Sequence, residues 1–441
     1  MKKSVFIIGA GNSGLEAAKL AKAKGYEVCL YDDIPKDKLS DEKQQIIDKL
    51  EIKWENSFEY LKANNEVTVI TSPGVDLRNP KFGILKNFHV ISEIQFAWRW
   101  LKGLSVAVTG TNGKSTTCAL IEHFLRNEKI DAIACGNYGI PLSAIVSDEK
   151  YSKAVKVVEL SSFQLEHLEN ISPEVSICLD ITENHLNRYD SMEDYVHAKL
   201  NLYNMNSKNS HWIIYHSIIK NYPDLKRHKN LTVVHDTFTE GELTLRLNEG
   251  KIEGDWNIDA AIDKSYLGLK HNIINVLFSL SAVMFLKGRL IKIANAINTF
   301  KPLHYRQEKV LDKNGLMVVN DSKSSSPDAV IKALDSYNEK TILILGGRNK
   351  QHTFEILKNR LENSDIKVVL YGESGDFIEN VLKDTVKVKK AKLLKDALIL
   401  ARDWREEEKL ILFSPACESF DQFKNYNDRG EHFNKYVSEL F

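Results

Sequence analysis

From Val106 to Thr117 the chain reads V-A-V-T-G-T-N-G-K-S-T-T, and residues of these types at this spacing suit the holding of a polyphosphate. A β-branched strand runs into a glycine loop, and an amphipathic helical pattern follows. Such a junction aims backbone N–H groups and a helix N-terminus at one point, where unpaired donors and the helix dipole favour negative charge. Lys114 adds a cation for the β and γ phosphates, and the hydroxyl of Ser115 or Thr116 offers a ligand to Mg²⁺. The loop Gly110-Thr111-Asn112-Gly113 is shorter than the usual GxxxxGK[ST], which needs a glycine where Val108 stands. A solvated turn before a helix is the bland alternative, but strand, loop, lysine, hydroxyls and helix coincide here.

Other chemistry-bearing groups fall at the ends of strand-like runs. Glu159 closes Val155-Lys-Val-Val-Glu and opens E-L-S-S-F-Q-L-E, where a carboxylate is placed to hold Mg²⁺. The run Asp180-Ile-Thr-Glu-Asn-His185 brings a histidine among several oxygens. A lone histidine after a strand is usually structural, yet three such strand ends sharing a segment with the phosphate loop favour function. Lys199 lies on an amphipathic helical pattern, and by pattern alone it reads as a surface charge. Asn320-Asp-Ser-Lys-Ser-Ser-Ser-Pro327 sits between a strand and a helix begun by proline, with Asp321 suited to ribose hydroxyls and Lys323 to an anion. Upstream, Arg306 offers a planar, permanently charged clamp for phosphate. In Phe413-Ser-Pro-Ala-Cys-Glu-Ser-Phe-Asp-Gln-Phe-Lys-Asn-Tyr426, Ser419 and neighbouring N–H groups are expected at a helix start, as a pocket for a substrate carboxylate.

The elements that must position these groups alternate, short apolar runs with helical patterns, which implies parallel sheets built from βαβ units. The chain is therefore read as α/β with three domains: a Rossmann-like one over 1–93, a central P-loop ATPase-type parallel sheet over 94–300, and a second Rossmann-like one over 301–441. The first opens with Val5-Phe-Ile-Ile8 and the fingerprint Gly9-Ala-Gly-Asn-Ser-Gly14, then a helix over 15–24 and a strand ending at Tyr31-Asp32-Asp33. The third begins with a hairpin about Lys313-Asn-Gly315.

Basic and acidic residues balance at 60 each among 441, so charge makes no case for a nucleic-acid or membrane partner. No apolar run reaches membrane-spanning length, and Met-Lys-Lys before the first strand is too short for a secretory segment. Cys29, Cys118, Cys135, Cys178 and Cys417 show no metal or disulfide spacing and read as buried small residues in a reducing cytoplasm. The basic run Lys387-Val-Lys-Lys-Ala-Lys392 is expected at a solvated strand edge or helix entry.

In this order, G-T-N-G-K-S-T, E-L-S-S-F-Q-L-E, T-E-N-H-L-N-R-Y, H-N-I-I-N, N-D-S-K and S-P-A-C-E-S-F-D-Q-F-K-N resemble the Mur ligases of peptidoglycan synthesis along essentially the whole chain. The phosphate-binding motifs are shared with a wider family that includes folylpolyglutamate synthase. The last motif resembles the branch that adds D-glutamate to UDP-N-acetylmuramoyl-L-alanine. The resemblance implies an ATP-dependent, ADP-forming ligase that is a cytoplasmic monomer and works through an acyl phosphate. Its first domain would hold the UDP end of the substrate, with Gly14, Asp32 and Ser72 in contact and no nicotinamide. The central domain would bind ATP and two Mg²⁺, with Ser115 and Glu159 on one ion, His185 on the other, and a carbamylated Lys199 bridging to the metal. Asn272, Arg306 and Asp321 would contact ATP, and Asn137 the sugar-peptide. Ser325, Lys350, Ser419, Phe420 and Tyr426 would line the D-glutamate site. The chain departs from the family pattern at Asp32-Asp33-Ile34, which lacks an arginine, at Asn184, Asn187 and Arg348, where aspartates are common, and at Tyr305, where histidine is usual.

Two other classes compete. The GxGxxG and Asp32 suit a nicotinamide-dependent dehydrogenase, but that function leaves Lys114, Glu159, His185 and Ser419 without work. A non-catalytic nucleotide-binding scaffold would have no use for intact metal ligands. Nearer in chemistry stands a ligase of the same family with another amino-acid specificity.

Overall fold

The computed structural model of the chain describes residues 3–182, 188–204, 210–227, 229–234, 245–246, 253–254, 270–287, 293–349 and 353–441. The chain divides into two compact units, Met1–Gly268 with Asn272–Phe300 and Leu269–His271 with Lys301–Phe441.

The first unit contains two parallel sheets. In one, β1 (Ser4–Ile8), β2 (Glu27–Tyr31), β3 (Lys53–Glu55), β4 (Thr68–Thr71) and β5 (His89–Ser92) lie in the order β3-β2-β1-β4-β5. Strands such as Val5-Phe-Ile-Ile8 are apolar on both faces because helices cover both sides of a parallel sheet. The helix after β1 spans Asn12–Ala23 and buries Leu15, Ala17, Ala18, Leu20 and Ala21. It starts three residues before the expected Leu15, because the fingerprint residues themselves form its first turn. Gly14 is required there: a Cβ would stand 1.8 Å from the Gly9 carbonyl oxygen.

The second sheet comprises β6 (Ser105–Thr109), β7 (Ala132–Gly136), β8 (Val155–Glu159), β9 (Val175–Cys178), β10 (His211–Tyr215) and β11 (Leu231–Val234), in the order β11-β10-β9-β6-β8-β7. The chain thus runs outward to one side of β6 and later to the other, and ligands in open α/β sheets bind at the carboxyl ends where the order reverses. A short antiparallel pair, β12 (Leu245–Arg246) and β13 (Glu253–Gly254), follows. The helix Lys270–Lys287, expected over 271–286, is predominantly apolar and packs Val276, Phe278, Leu280 and Val283 into the core behind the sheet.

The second unit holds β14 (Glu308–Lys313), β15 (Leu316–Asn320), β16 (Thr341–Gly346), β17 (Lys367–Tyr371), β18 (Val388–Lys390) and β19 (Leu410–Ala416), in the order β14-β15-β19-β16-β17-β18. β14 and β15 form the hairpin expected at Asn314-Gly315, with Lys313 opposite Leu316, and the remaining pairs are parallel. The basic run forms the edge strand β18, and Lys390 reaches Asp376 and Glu379. All five cysteines are buried and in no disulfide. Among the described residues, no helix is long and apolar enough to cross a membrane.

The two sheets of the first unit are joined through buried polar contacts. Ser92 N–H donates to the His167 carbonyl at 2.9 Å, Glu169 N–H to Gln95 Oε1 at 2.6 Å, and Ser143 N–H to Glu93 Oε1 at 2.7 Å. The other carboxylate oxygen of Glu93 is buried without a partner, and burial pushes this carboxyl up to about 7. A carboxyl whose folded-state value is raised stabilises the fold fully below its unfolded value and loses that contribution as pH rises through the folded value. Stability should therefore fall between about pH 4.5 and 7, by about 3 kcal/mol at most. Glu93→Gln is expected to flatten this slope in denaturant titrations across that range; an unchanged slope would place the proton uptake elsewhere.

Candidate active site

Strand register builds the site. Val108 of β6 pairs with Glu159 of β8, and Thr109 pairs with Cys178 of β9, so the loop leaving β6 emerges between the two neighbouring strand ends. β9's continuation holds that loop: Thr111 N–H donates to the Asp180 carbonyl at 2.8 Å, and Asn112 N–H to Asp180 Oδ1 at 3.1 Å. The Thr111 hydroxyl donates to the Thr182 carbonyl at 3.1 Å and lies 3.1 Å from the Tyr195 hydroxyl. Gly113 turns the chain into the helix Lys114–Asn127 with φ 78°. A Cβ there would be strained and would meet Asn275 Oδ1 at 2.3 Å. Lys114 curls over its own loop, Nζ donating to the carbonyls of Gly110 at 3.0 Å and Thr111 at 2.8 Å. Thr116 is buried on the first turn of the helix.

Beside the helix start, Ser115 Oγ donates to Glu159 Oε2 at 2.5 Å, and Asn137 Nδ2 donates to Glu159 Oε1 at 2.7 Å. The Asn137 backbone N–H also donates to the Glu159 carbonyl at 3.0 Å. Asn137, expected on the sugar-peptide, thus orients the carboxylate. Among the described residues no cluster of three or more His, Cys, Asp or Glu is arranged to hold a metal. The hydroxyl and carboxylate that do converge are hard oxygen donors beside a phosphate loop, the donor set that fits Mg²⁺, which takes few protein ligands and completes its shell with phosphate and water.

Lys199 is not the surface charge its pattern suggests. Its helix, Met192–Asn204, lies against the phosphate loop, the residue is 2 % exposed, and Nζ donates to the Gly110 carbonyl at 2.7 Å over the Tyr195 ring. Burial, aided by the positive charge of Lys114, holds this amine well below the usual lysine range.

The remaining expected residues have varied surroundings. Asp32 accepts from Ala10 N–H of the glycine fingerprint at 2.7 Å and from Ile34 N–H of its own turn at 3.0 Å, and Ser72 Oγ donates to the Gly9 carbonyl at 3.3 Å beside Gly14. Asn272 is buried and its Oδ1 accepts from Asn275 Nδ2 at 3.3 Å. In the second unit, Asp321 accepts from Ser414 Oγ at 2.8 Å and Gln307 N–H at 3.2 Å. Burial pushes its carboxyl up to about 7, against the pull of the Ser414 bond and the charge of Arg306. Lys323 Nζ stands 3.6 Å over the Tyr426 ring, and Ser325 is exposed just before the helix Pro327–Leu334. His185 and Lys350 lie outside the described residues.

Ser419 is not at a helix start. It is buried in a turn whose carbonyl accepts from Gln422 and Phe423 N–H at 3.2 and 2.9 Å, and the final helix begins at Tyr426. Asn425 caps that helix, its side chain accepting from Asn427 and Asp428 N–H. Phe420, 53 % exposed, stands on the turn.

Sequence reasoning missed Asp180 as the loop's anchor, along with Tyr195 and Asn275. Asn275 stood one helical turn after Asn272 on the same face, which was the available signal.

A parallel sheet whose central strand delivers a glycine loop, a lysine and a hydroxyl beside a strand-end carboxylate defines a phosphate-loop nucleotide-binding protein. A profile of the Mur ligase middle domain matches residues 108–283. The UDP-N-acetylmuramoylalanine--D-glutamate ligase of Pelodictyon phaeoclathratiforme is 32 % identical over 99 % of this chain and 98 % of its own. That of Desulfitobacterium hafniense is 33 % identical over 99 % and 97 %. Among solved structures, the MurF ligase of Thermotoga maritima in complex with ADP superposes with a TM-score of 0.58 at 16 % identity, covering 85 % of this chain and 96 % of its own. The UDP-N-acetylmuramate-alanine ligase of the same organism gives 0.57 at 18 % identity, with full coverage of both chains. This chain belongs to the Mur ligase family, ATP-dependent enzymes that form amide bonds.

Gly113→Ala should weaken binding of ADP by at least about tenfold in calorimetric titration, since the loop must move to relieve both its backbone strain and its collision with Asn275. Wild-type affinity in that variant would contradict the loop assignment.

Proposed function

We propose that this enzyme joins D-glutamate to the L-alanine carboxylate of UDP-N-acetylmuramoyl-L-alanine, converting ATP to ADP and phosphate, as a cytoplasmic monomer. The observation that carries the reading is near-complete alignment with relatives bearing that ligase name, which retain 30–33 % identity along the whole chain. Division of labour is assigned to the segments that hold the three larger sheets. Residues 1–93, with Gly14, Asp32 and Ser72, take the UDP end; 94–300 take ATP; and 301–441, with Ser325, Lys350, Ser419, Phe420 and Tyr426, take the amino acid. Asn272, Arg306 and Asp321 contribute to ATP binding.

A carboxylate resists attack by an amine because oxide is a very poor leaving group. In the first step, a carboxylate oxygen of the substrate attacks the γ-phosphorus of ATP, the bond to the β,γ-bridging oxygen breaks, and ADP leaves. The D-glutamate amine then attacks the acyl carbon, the nitrogen loses a proton, and phosphate departs as the amide forms. The protein's task is to position the reactants and neutralise charge. Lys114 is supplied at the head of the helix for the β and γ phosphates, and the helix N-terminus adds its dipole. When bound, Mg²⁺ would offset charge on the transferring phosphoryl group, held by Ser115 and Glu159 with His185 on a second ion. Lys199 is suited to carbamylation: the neutral amine is the form that adds to carbon dioxide, and burial beside Lys114 shifts the amine toward that form. The carbamate would place an anion there, able to face the metal.

Phosphate release from ATP and UDP-N-acetylmuramoyl-L-alanine should depend on D-glutamate across a panel of amino acids, and ¹⁸O from the substrate carboxylate should appear in the phosphate. Release driven equally well by another amino acid would assign a different branch of the family. Unlabelled phosphate would end the acyl-phosphate route. Lys199→Ala should cut turnover by about a hundredfold, with partial recovery on adding a short carboxylate; full activity without one would exclude the carbamate.

A further inference from the structure

The last helix carries at its fourth residue an arginine that is 1 % exposed, and among the described residues no carboxylate lies within ion-pair distance of it. Arg429 instead spends its fork on neutral oxygens. Nε donates to Ser322 Oγ at 3.0 Å, Nη2 to the Ser322 carbonyl at 2.7 Å, and Nη1 to the Cys417 carbonyl at 3.0 Å. The Ser322 hydroxyl in turn donates to the Tyr426 carbonyl at 2.9 Å. Gly347 lies against the same group, since a Cβ there would be 3.2 Å from Nη1. One guanidinium thus reaches the segments just beyond the carboxyl ends of three neighbouring strands, β15, β19 and β16.

A buried charge satisfied only by dipoles costs stability that an apolar side chain of similar size would not. Its retention calls for another reason, and the segments it ties supply one. Ser322 lies between Asp321 and Lys323; Cys417 precedes Ser419 and Phe420 by two and three residues; Tyr426 opens the helix that bears Arg429. Of these, Ser419, Phe420 and Tyr426 were assigned above to the amino-acid site, and Asp321 to ATP. We infer that Arg429 is a positioning residue for the amino-acid substrate, fixing the Ser322 and Cys417 segments against the final helix and placing a permanent positive charge beneath them that favours a dicarboxylate. Arginine suits the task because its rigid fork bonds two segments at once and its charge is not lost at any working pH.

The inference rests on the amino-acid site proposed for the second unit, and the test separates the two. Steady-state kinetics of the full-length enzyme are measured for wild type, Arg429→Met and Arg429→Lys, with ADP affinity measured in parallel. Arg429→Met should raise the KM for D-glutamate about tenfold or more, with kcat and ADP affinity changed less than about threefold. Arg429→Lys, which keeps the charge without the fork, should fall between. If Arg429→Met does not fold, Ser322→Ala provides the reading: it removes the hydroxyl's two bonds, to Arg429 Nε and the Tyr426 carbonyl, keeps the charge, and should raise the same KM severalfold. A KM for D-glutamate that stays within twofold in the folded variant overturns the inference. So does an equal loss in amino-acid KM and ADP affinity, which would mark a merely structural role. Should wild type prefer another amino acid, the specificity reading fails on its own, and the Arg429 effect is read on that amino acid's KM.

Discussion

The pairing of β6 between β8 and β9 is the constraint on which the central site depends. With Val108 opposite Glu159 and Thr109 opposite Cys178, a loop of four residues after β6 can meet a carboxylate on one side and the Asp180 anchor on the other. Parallel register is strictly enforced because these strands are buried on both faces, and a slip of one residue would turn every side chain the wrong way. The Ser115–Glu159 contact joins residues 44 positions apart, yet the sheet makes it as determinate as a turn.

Polar groups that the core would otherwise exclude gather around this frame. Glu159 has both oxygens engaged, by Ser115 and Asn137, so it is held in place before any ligand arrives. Lys199 is accommodated in the core with its amine bonded to the Gly110 carbonyl, and burial lowers its affinity for a proton. In the second unit, Asp321 and Arg429 repeat the pattern, each satisfied by hydroxyls and backbone. Preorganisation of this kind spares the protein reorganisation when charge develops on a phosphoryl group.

Much of this was legible in the residues themselves. Strands, hairpin and phosphate loop could be read because each is written in consecutive positions, and Glu159 because it ends an apolar run. What escaped depends on contacts remote in sequence. Asn275 matters only because its helix crosses Gly113, and Lys199 is buried only because Met192–Asn204 packs on the loop. Ser419 was expected at a helix start, whereas the capping asparagine, Asn425, marks the true start seven residues later at Tyr426. Pattern placed Lys199 on the surface, and the bond from Asn137 to Glu159 joins two residues that the sequence had given separate tasks.

The most direct test of the central claim is calorimetric titration of ATP into wild type and Glu159→Gln, each with and without Mg²⁺. If the strand-end carboxylate and the loop hydroxyl form the metal–nucleotide locus, wild type should bind ATP more tightly with Mg²⁺, and the variant should lose most of that difference while keeping its metal-free affinity. A magnesium effect undiminished by Glu159→Gln would contradict it.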